Sequence, residues 1–187
     1  MSFRKHNDEG FTGLEAAIVL IAFVVVAAVF SYVVLGAGFF TTQKAQETVY
    51  KGVEQSTANI QMIGNLYGLS NATPNQIDEV KFSIGLAPGA PPIDLSKLKI
   101  VFSTPTTGPI ILTQGANASV AVFTTKLNGV GAVVNNMSAN DQVEVHFMVA
   151  GVDPNTKMNL ELRPSVGAAL PFSKTAPATI AKTNILY

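Results

Sequence analysis

The sequence predicts an α+β chain: a long hydrophobic N-terminal α-helix, then an antiparallel β-sandwich whose expected form is immunoglobulin-like. Three observations carry this. No charged residue occurs from Ala16 to Gln43, and residues 16–29 are almost wholly Ala, Val, Ile, Leu and Phe. Past Thr41, apolar residues continue at helical spacing with charges between them. Past residue 77, seven short segments alternate apolar and polar residues, separated by Pro, Gly and Asn.

Residues 1–10 read as a short hydrophilic leader containing Arg4, Lys5, Asp8 and Glu9. Basic residues ahead of an apolar span stay on the cytoplasmic side, so the chain after Phe40 is expected to face outward. An ordinary secretory signal has its small-residue cleavage site after the apolar stretch. Here the small-residue join, Gly10/Phe11, comes before it, so cutting there would leave the helix in the mature chain. An uncleaved signal-anchor is the plainer alternative.

The apolar segment 14–40 is long enough to span a bilayer, since about 20 helical residues cover the hydrocarbon core. Being hydrophobic on every side, it must be surrounded by lipid or by other helices. Gly36 and Gly38 mark either a bend or a place of close helix approach. Ala45, Val49, Val53, Ile60 and Ile63 then follow helical spacing, with Lys44, Glu47, Lys51 and Glu54 on other faces. One helix over 11–67 is therefore expected, with a linker at 68–76 where Ser, Asn and Pro gather, and a β-domain over 77–187. Period-two alternation places strands at 80–86, 98–103, 142–149 and 157–163, with further strands at 109–113, 119–127 and 179–186. The turn Asp153-Pro154-Asn155 is expected to join two of these into a hairpin.

Composition excludes several functions. The 12 basic and 12 acidic residues cancel, leaving no excess charge for nucleic-acid phosphates. Cysteine is absent, so neither a disulfide framework nor a thiolate site can form. His146 beside Glu144 reads as a solvent-facing histidine, because its only fellow, His6, lies in the leader. Asp141, Asp153 and Glu161 lack the spacing of a cation loop. No nucleophile elbow, phosphate loop or zinc helix is present, so no catalytic, cofactor or metal residue is assigned. Three sequons start at Asn71, Asn117 and Asn136, all in the part expected outside the cell. They are candidate N-glycosylation sites or ordinary polar turns.

Glu15 is the one acid at the mouth of the apolar helix. Cleavage at Gly10/Phe11 would create an amino group on Phe11, four residues away. Two roles stay open. Glu15 could pair with a Phe11 amine, in its own chain or a neighbouring copy, an attraction of about 4 kcal/mol at 4 Å before desolvation. Alternatively it only complements the positive end of the helix dipole, contributing about 0.3–1 kcal/mol.

The residues GFTGLEAAIVLIAFVVVAAVF resemble the start of an archaeal flagellin (archaellin), a filament subunit of the type IV pilin-like superfamily. The resemblance covers roughly residues 8–67, and the remainder is consistent with that family's β-rich outer domain. Bacterial type IV pilins usually carry a larger apolar residue where Gly13 stands. The resemblance implies a structural protein with no enzyme activity and no cofactor. A preflagellin peptidase would cut between Gly10 and Phe11. The precursor would sit in the cell membrane with its C-terminal domain outward. Mature copies would then form a helical homopolymer, which other flagellins could join, as an extracellular swimming filament. Motor and assembly proteins would act at its base. Phe11 and Glu15 would govern assembly, and Leu14, Ile18, Leu20, Ile21, Phe23, Val26, Phe30 and Val34 would pack the filament core. The closest competing reading is an archaeal type IV adhesion pilin; a membrane-anchored binding module follows.

Overall fold

The computed structural model describes residues 8–71 and 75–187, with helix side chains from Gly13 onward. The chain divides into two compact units, Met1–Tyr50 and Lys51–Tyr187. Helix α1 spans Asp8–Thr57, 50 residues, and runs through Gly36 and Gly38 without interruption. Eleven strands follow: β1 Ile60–Leu69, β2 Ile77–Leu86, β3 Ile93–Asp94, β4 Lys99–Ser103, β5 Ile110–Gln114, β6 Val122–Leu127, β7 Asn136–Met137, β8 Val143–Val152, β9 Lys157–Arg163, β10 Leu170–Thr175 and β11 Thr183–Leu186.

All seven expected strands are present, which gives the mostly antiparallel β-domain the sequence called for. The expected helix end is wrong. α1 stops at Thr57, and residues 60–69 form β1, so Ile60 and Ile63 are strand residues. Gly68 and Leu69, placed in the linker, close that strand. The error has a physical source. Ile60 and Leu66 face the core, but Ile63, Tyr67 and Leu69 put apolar side chains on the other phase. Alternation is thereby hidden, and the three-residue spacing of Ile60 and Ile63 imitates a helix. A bulge between Ile63 and Tyr67, with Gly64 at φ 75°, breaks the pattern further.

Nine strands make one sheet in the order β10-β9-β4-β5-β6-β8-β2-β1-β11, and β3 pairs with β7 separately. The sheet curls until its outermost strands meet. Thr175 N–H donates to the Tyr187 carbonyl at 2.6 Å, and Tyr187 N–H returns the bond to Thr175 at 3.3 Å. The two faces of the domain therefore belong to one continuous sheet. Aromatic pairs cross its interior edge to face: Phe102 of β4 meets Phe147 of β8, and Phe82 of β2 meets Phe172 of β10, each at 5.7 Å. These pairs set β4, β9 and β10 opposite β8 and β2. Phe82, Phe123, Phe147, Ile84, Ile100 and Leu112 lie in the core between them.

The expected hairpin across Asp153–Asn155 does not form. The turn exists, with Asn155 at φ 57°, but β8 pairs with β2 and β6 while β9 pairs with β4 and β10. Each strand has both edges occupied, so the turn carries the chain from one face to the other. β5 and β6 are parallel yet joined by only a short loop, because Thr113 pairs with Val122 and Gln114 with Phe123. β6 thus begins level with the end of β5 and continues past it, so no long crossover is needed.

Candidate assembly site

The first unit consists of a helix with an unsheltered apolar surface. Leu14, Ile18, Leu20, Ile21, Phe23, Val26, Phe30 and Val34 are all between 53% and 72% exposed. Val19, Val24, Val25, Val29, Val33, Leu35, Phe39 and Phe40 are exposed to a similar degree, so the greasy surface encircles the helix. Leaving only the first eight in water forgoes about 1.5–3 kcal/mol each, about 12–24 kcal/mol together. That matches or exceeds the whole folding free energy of an ordinary domain, about 5–15 kcal/mol. The helix is long and apolar enough to cross a membrane. Water is not its working solvent.

The threonines that follow fit the same conclusion, and sequence reasoning missed them. Thr41 donates its hydroxyl to the Ala37 carbonyl at 2.8 Å, Thr42 to Gly38 at 2.9 Å, and Thr48 to Lys44 at 2.9 Å. Lys44 pairs with Glu47 at 2.8 Å within the helix. Each of the three hydroxyls is thus bonded within its own helix and needs no water to satisfy its donor. The available signal was a Thr inside a helical run, whose hydroxyl can reach back to the carbonyl four residues before it.

Gly10 and Phe11 lie in α1, but the Phe11 side chain falls outside those described, as does the Phe11 partner expected for Glu15. Glu15 itself is exposed on the helix surface.

The three sequons differ in setting. Asn71 is exposed and its amide donates to Glu79 Oε1 at 3.1 Å; the rest of that sequon lies outside the described residues. Asn117 is exposed in the loop between β5 and β6. Asn136 is exposed but belongs to β7, where it faces Asp94, and its neighbour Met137 is completely buried.

His146 is not simply solvent-facing: its Nε2 lies 3.0 Å from Glu79 Oε2 on the adjacent strand, and both side chains are mostly covered. Glu79 thereby bridges His146 and Asn71. Asp153 accepts from Gln76 at 2.6 Å, Asp141 from the Ser138 backbone at 2.8 Å, and Glu161 pairs with Arg163 at 2.8 Å. Each acid has its own local partner, and no cluster of three metal-ligating side chains occurs among the described residues. The Arg163 guanidinium holds the Glu161 carboxyl below the usual range, and Glu161 in turn raises Arg163. Asp94 is also lowered, chiefly by the Ser96 hydroxyl and then by Lys97.

Known proteins point the same way as the helix. The chain is 41% identical to probable flagellin 1 of Archaeoglobus fulgidus, covering 100% of this chain and 98% of that protein. Among solved structures it is similar to the archaeal flagellum of Methanospirillum hungatei strain JF1. The TM-score there is 0.71 and the identity 31%, with 94% of this chain and 99% of that one covered. Flagellin FlaB1 of Methanocaldococcus jannaschii shares the fold at a TM-score of 0.60 and 14% identity, covering 69% of this chain and 96% of that one. The archaeal-type flagellin family matches residues 10–174, and the chain belongs to that family.

Proposed function

We propose that this chain is the structural subunit of an archaeal flagellum, polymerising through α1 into the filament used for swimming. The observation that carries the reading is a helix apolar on every side joined to a β-domain that buries its own core. A surface of that size is tolerated only in lipid or in a protein core. The helix occupies the membrane in the precursor and the filament core in the mature subunit. Apolar surface is buried in both places, so packing and polar pairing must bias the transfer. No substrate is converted; torque belongs to motor proteins at the filament base.

Maturation follows from the Gly10/Phe11 join. A membrane peptidase removes residues 1–10, and the new Phe11 amine becomes available to Glu15. The domain after the helix stays outside the cell, where Asn117 is the sequon best placed to carry a glycan. Its side chain is exposed, whereas the Asn136 sequon includes the buried Met137. Intact mass of the mature chain, with and without Asn117→Gln, tests that assignment.

The deciding experiment is electron microscopy of purified surface appendages with N-terminal sequencing of their subunit. A thin filament whose chain begins at Phe11 is expected. A chain beginning beyond Phe40, or a freely soluble monomer, would overturn the reading. A deletion strain that swims normally but no longer attaches would instead identify an adhesion pilin.

A further inference from the structure

Three residues other than glycine have positive φ among the described residues: Asn75 at 65°, Asn128 at 49° and Asn155 at 57°. All three are exposed asparagines at turns. Their successors differ. Asn75 precedes Gln76 and Asn155 precedes Thr156, whereas Asn128 precedes Gly129, the one Asn-Gly pair in the sequence.

Residues 127–130 form a tight turn after β6. Val130 N–H donates to the Leu127 carbonyl at 3.0 Å, and Gly129 follows Asn128 with φ 76°. Positive φ at both central positions makes this a type I′ turn, for which Asn-Gly is a favoured pair. Gly129 N–H has only a long bond, 3.4 Å to the Lys126 carbonyl. Its nitrogen is therefore weakly held, carries no neighbouring side chain of its own, and adjoins a water-exposed carboxamide.

We infer that Asn128 is a site of spontaneous deamidation in the folded domain. The Gly129 nitrogen attacks Asn128 Cγ. An N–Cγ bond forms, the Cγ–Nδ2 bond breaks, and Nδ2 departs as ammonia with the proton that Gly129 gave up. Water then opens the five-membered ring. Cutting the new N–Cγ bond yields aspartate; cutting the original backbone C–N bond yields isoaspartate, with one more methylene in the main chain. Ring closure requires the Asn128–Gly129 peptide to turn over. That flip converts a type I′ turn into type II′, the other common hairpin turn. Asn128 keeps its positive φ, and Gly129 moves to negative φ, which glycine adopts as readily. The ring can thus form without parting β6 from β8. After Asn155 the same attack meets β-branched Thr156, whose stiff side chain crowds the nitrogen.

The full chain in detergent micelles, folded in one sample and unfolded in guanidinium in another, would be held in mildly alkaline buffer and mapped by fragment-ion mass spectrometry. Comparison within the wild-type chain is preferable to replacing Gly129, since a Cβ there would fall 2.7 Å from Glu144 Oε2. In the folded sample Asn128 should exchange amide for acid about tenfold faster than Asn155 or more, a barrier lower by about 1.4 kcal/mol. Both isomers should appear, the isoaspartyl one being a substrate for an isoaspartyl methyltransferase. The 12 basic and 12 acidic residues cancel, so each event leaves the chain at net −1, which isoelectric focusing resolves. A folded-state rate at Asn128 no greater than at Asn155 would overturn the assignment. Conversion of Asn128 in guanidinium but not in the folded chain would overturn it too, by showing that the turn blocks the flip. Neither result bears on whether the chain polymerises.

Discussion

Substituting Gly167 should damage the outer domain more than its surface position suggests. Gly167 lies in the loop between β9 and β10 with φ 99°, a conformation that side chains rarely adopt. A Cβ built there would fall 1.6 Å from the carbonyl oxygen of Ala58 and 2.8 Å from its carbonyl carbon. Ala58 is completely buried just past the end of α1, and its N–H is bonded to the Glu54 carbonyl at 2.9 Å. The obstacle is therefore backbone, which has no rotamer to give way. For Gly167→Ala the left-handed backbone costs about 1–2 kcal/mol, and the forced shift of packed atoms about 1–3 kcal/mol more. Gly89→Ala is the matched control: its φ is 81°, but nothing lies within 4 Å of the new Cβ, so it should bear the first cost alone. The assay is thermal unfolding of the full chain in detergent micelles, followed through the β-sheet circular dichroism signal. The Gly167 variant should melt several degrees below the Gly89 variant. If the two melt together, the steric argument fails.

Glu15→Gln keeps the size of the side chain but removes its charge. Filament yield should fall at least tenfold at unchanged precursor level, which takes only about 1.4 kcal/mol per contact; normal yield would exclude the pairing with the Phe11 amine. Asn184 is nearly buried, accepts from Ala181 N–H at 2.8 Å and donates to the carbonyls of Ala181 at 2.7 Å and Gly68 at 3.2 Å. Asn184→Ala strands those groups and should destabilise the β-domain by about 2–3 kcal/mol; a urea midpoint within error of wild type would refute it. Asp94 and Glu161 have lowered folded values, so their contribution is complete above the ordinary carboxylate range and fades as pH falls through the folded values. Asp94→Asn should therefore lower stability slightly at neutral pH, leave it nearly unchanged in acid, and so flatten the acid limb of the stability–pH curve below about pH 4; an unchanged limb would show that Asp94 contributes nothing there.

Regular periodicity decided which parts of the fold could be read in advance. β2, β4, β8 and β9 keep their inward phase apolar with mostly polar residues between, and the uncharged run marks α1 unmistakably. β1 was hidden because both of its phases carry apolar residues and a bulge interrupts them. β10 was hidden by Pro171, which argues against a strand until its place at the sheet edge is known; there the missing N–H costs little. The pairing of β8 and β9 was misjudged because a turn fixes where the chain reverses, not which edges are free. Most residues of the assembly helix were legible, because all-round apolarity is a property of the sequence itself.

The reciprocal bond pair between Thr175 and Tyr187 has a practical corollary. It is a clasp holding the outermost strands together at a point, and a load applied at Tyr187 would peel it open rather than shear it. An affinity tag or fluorophore hung from Tyr187 would tug on this clasp whenever the filament was dragged through fluid. The solvent-exposed tip at Pro88 and Gly89 is the safer place to attach a handle, because it follows β2, which is held by ladders to both β1 and β8.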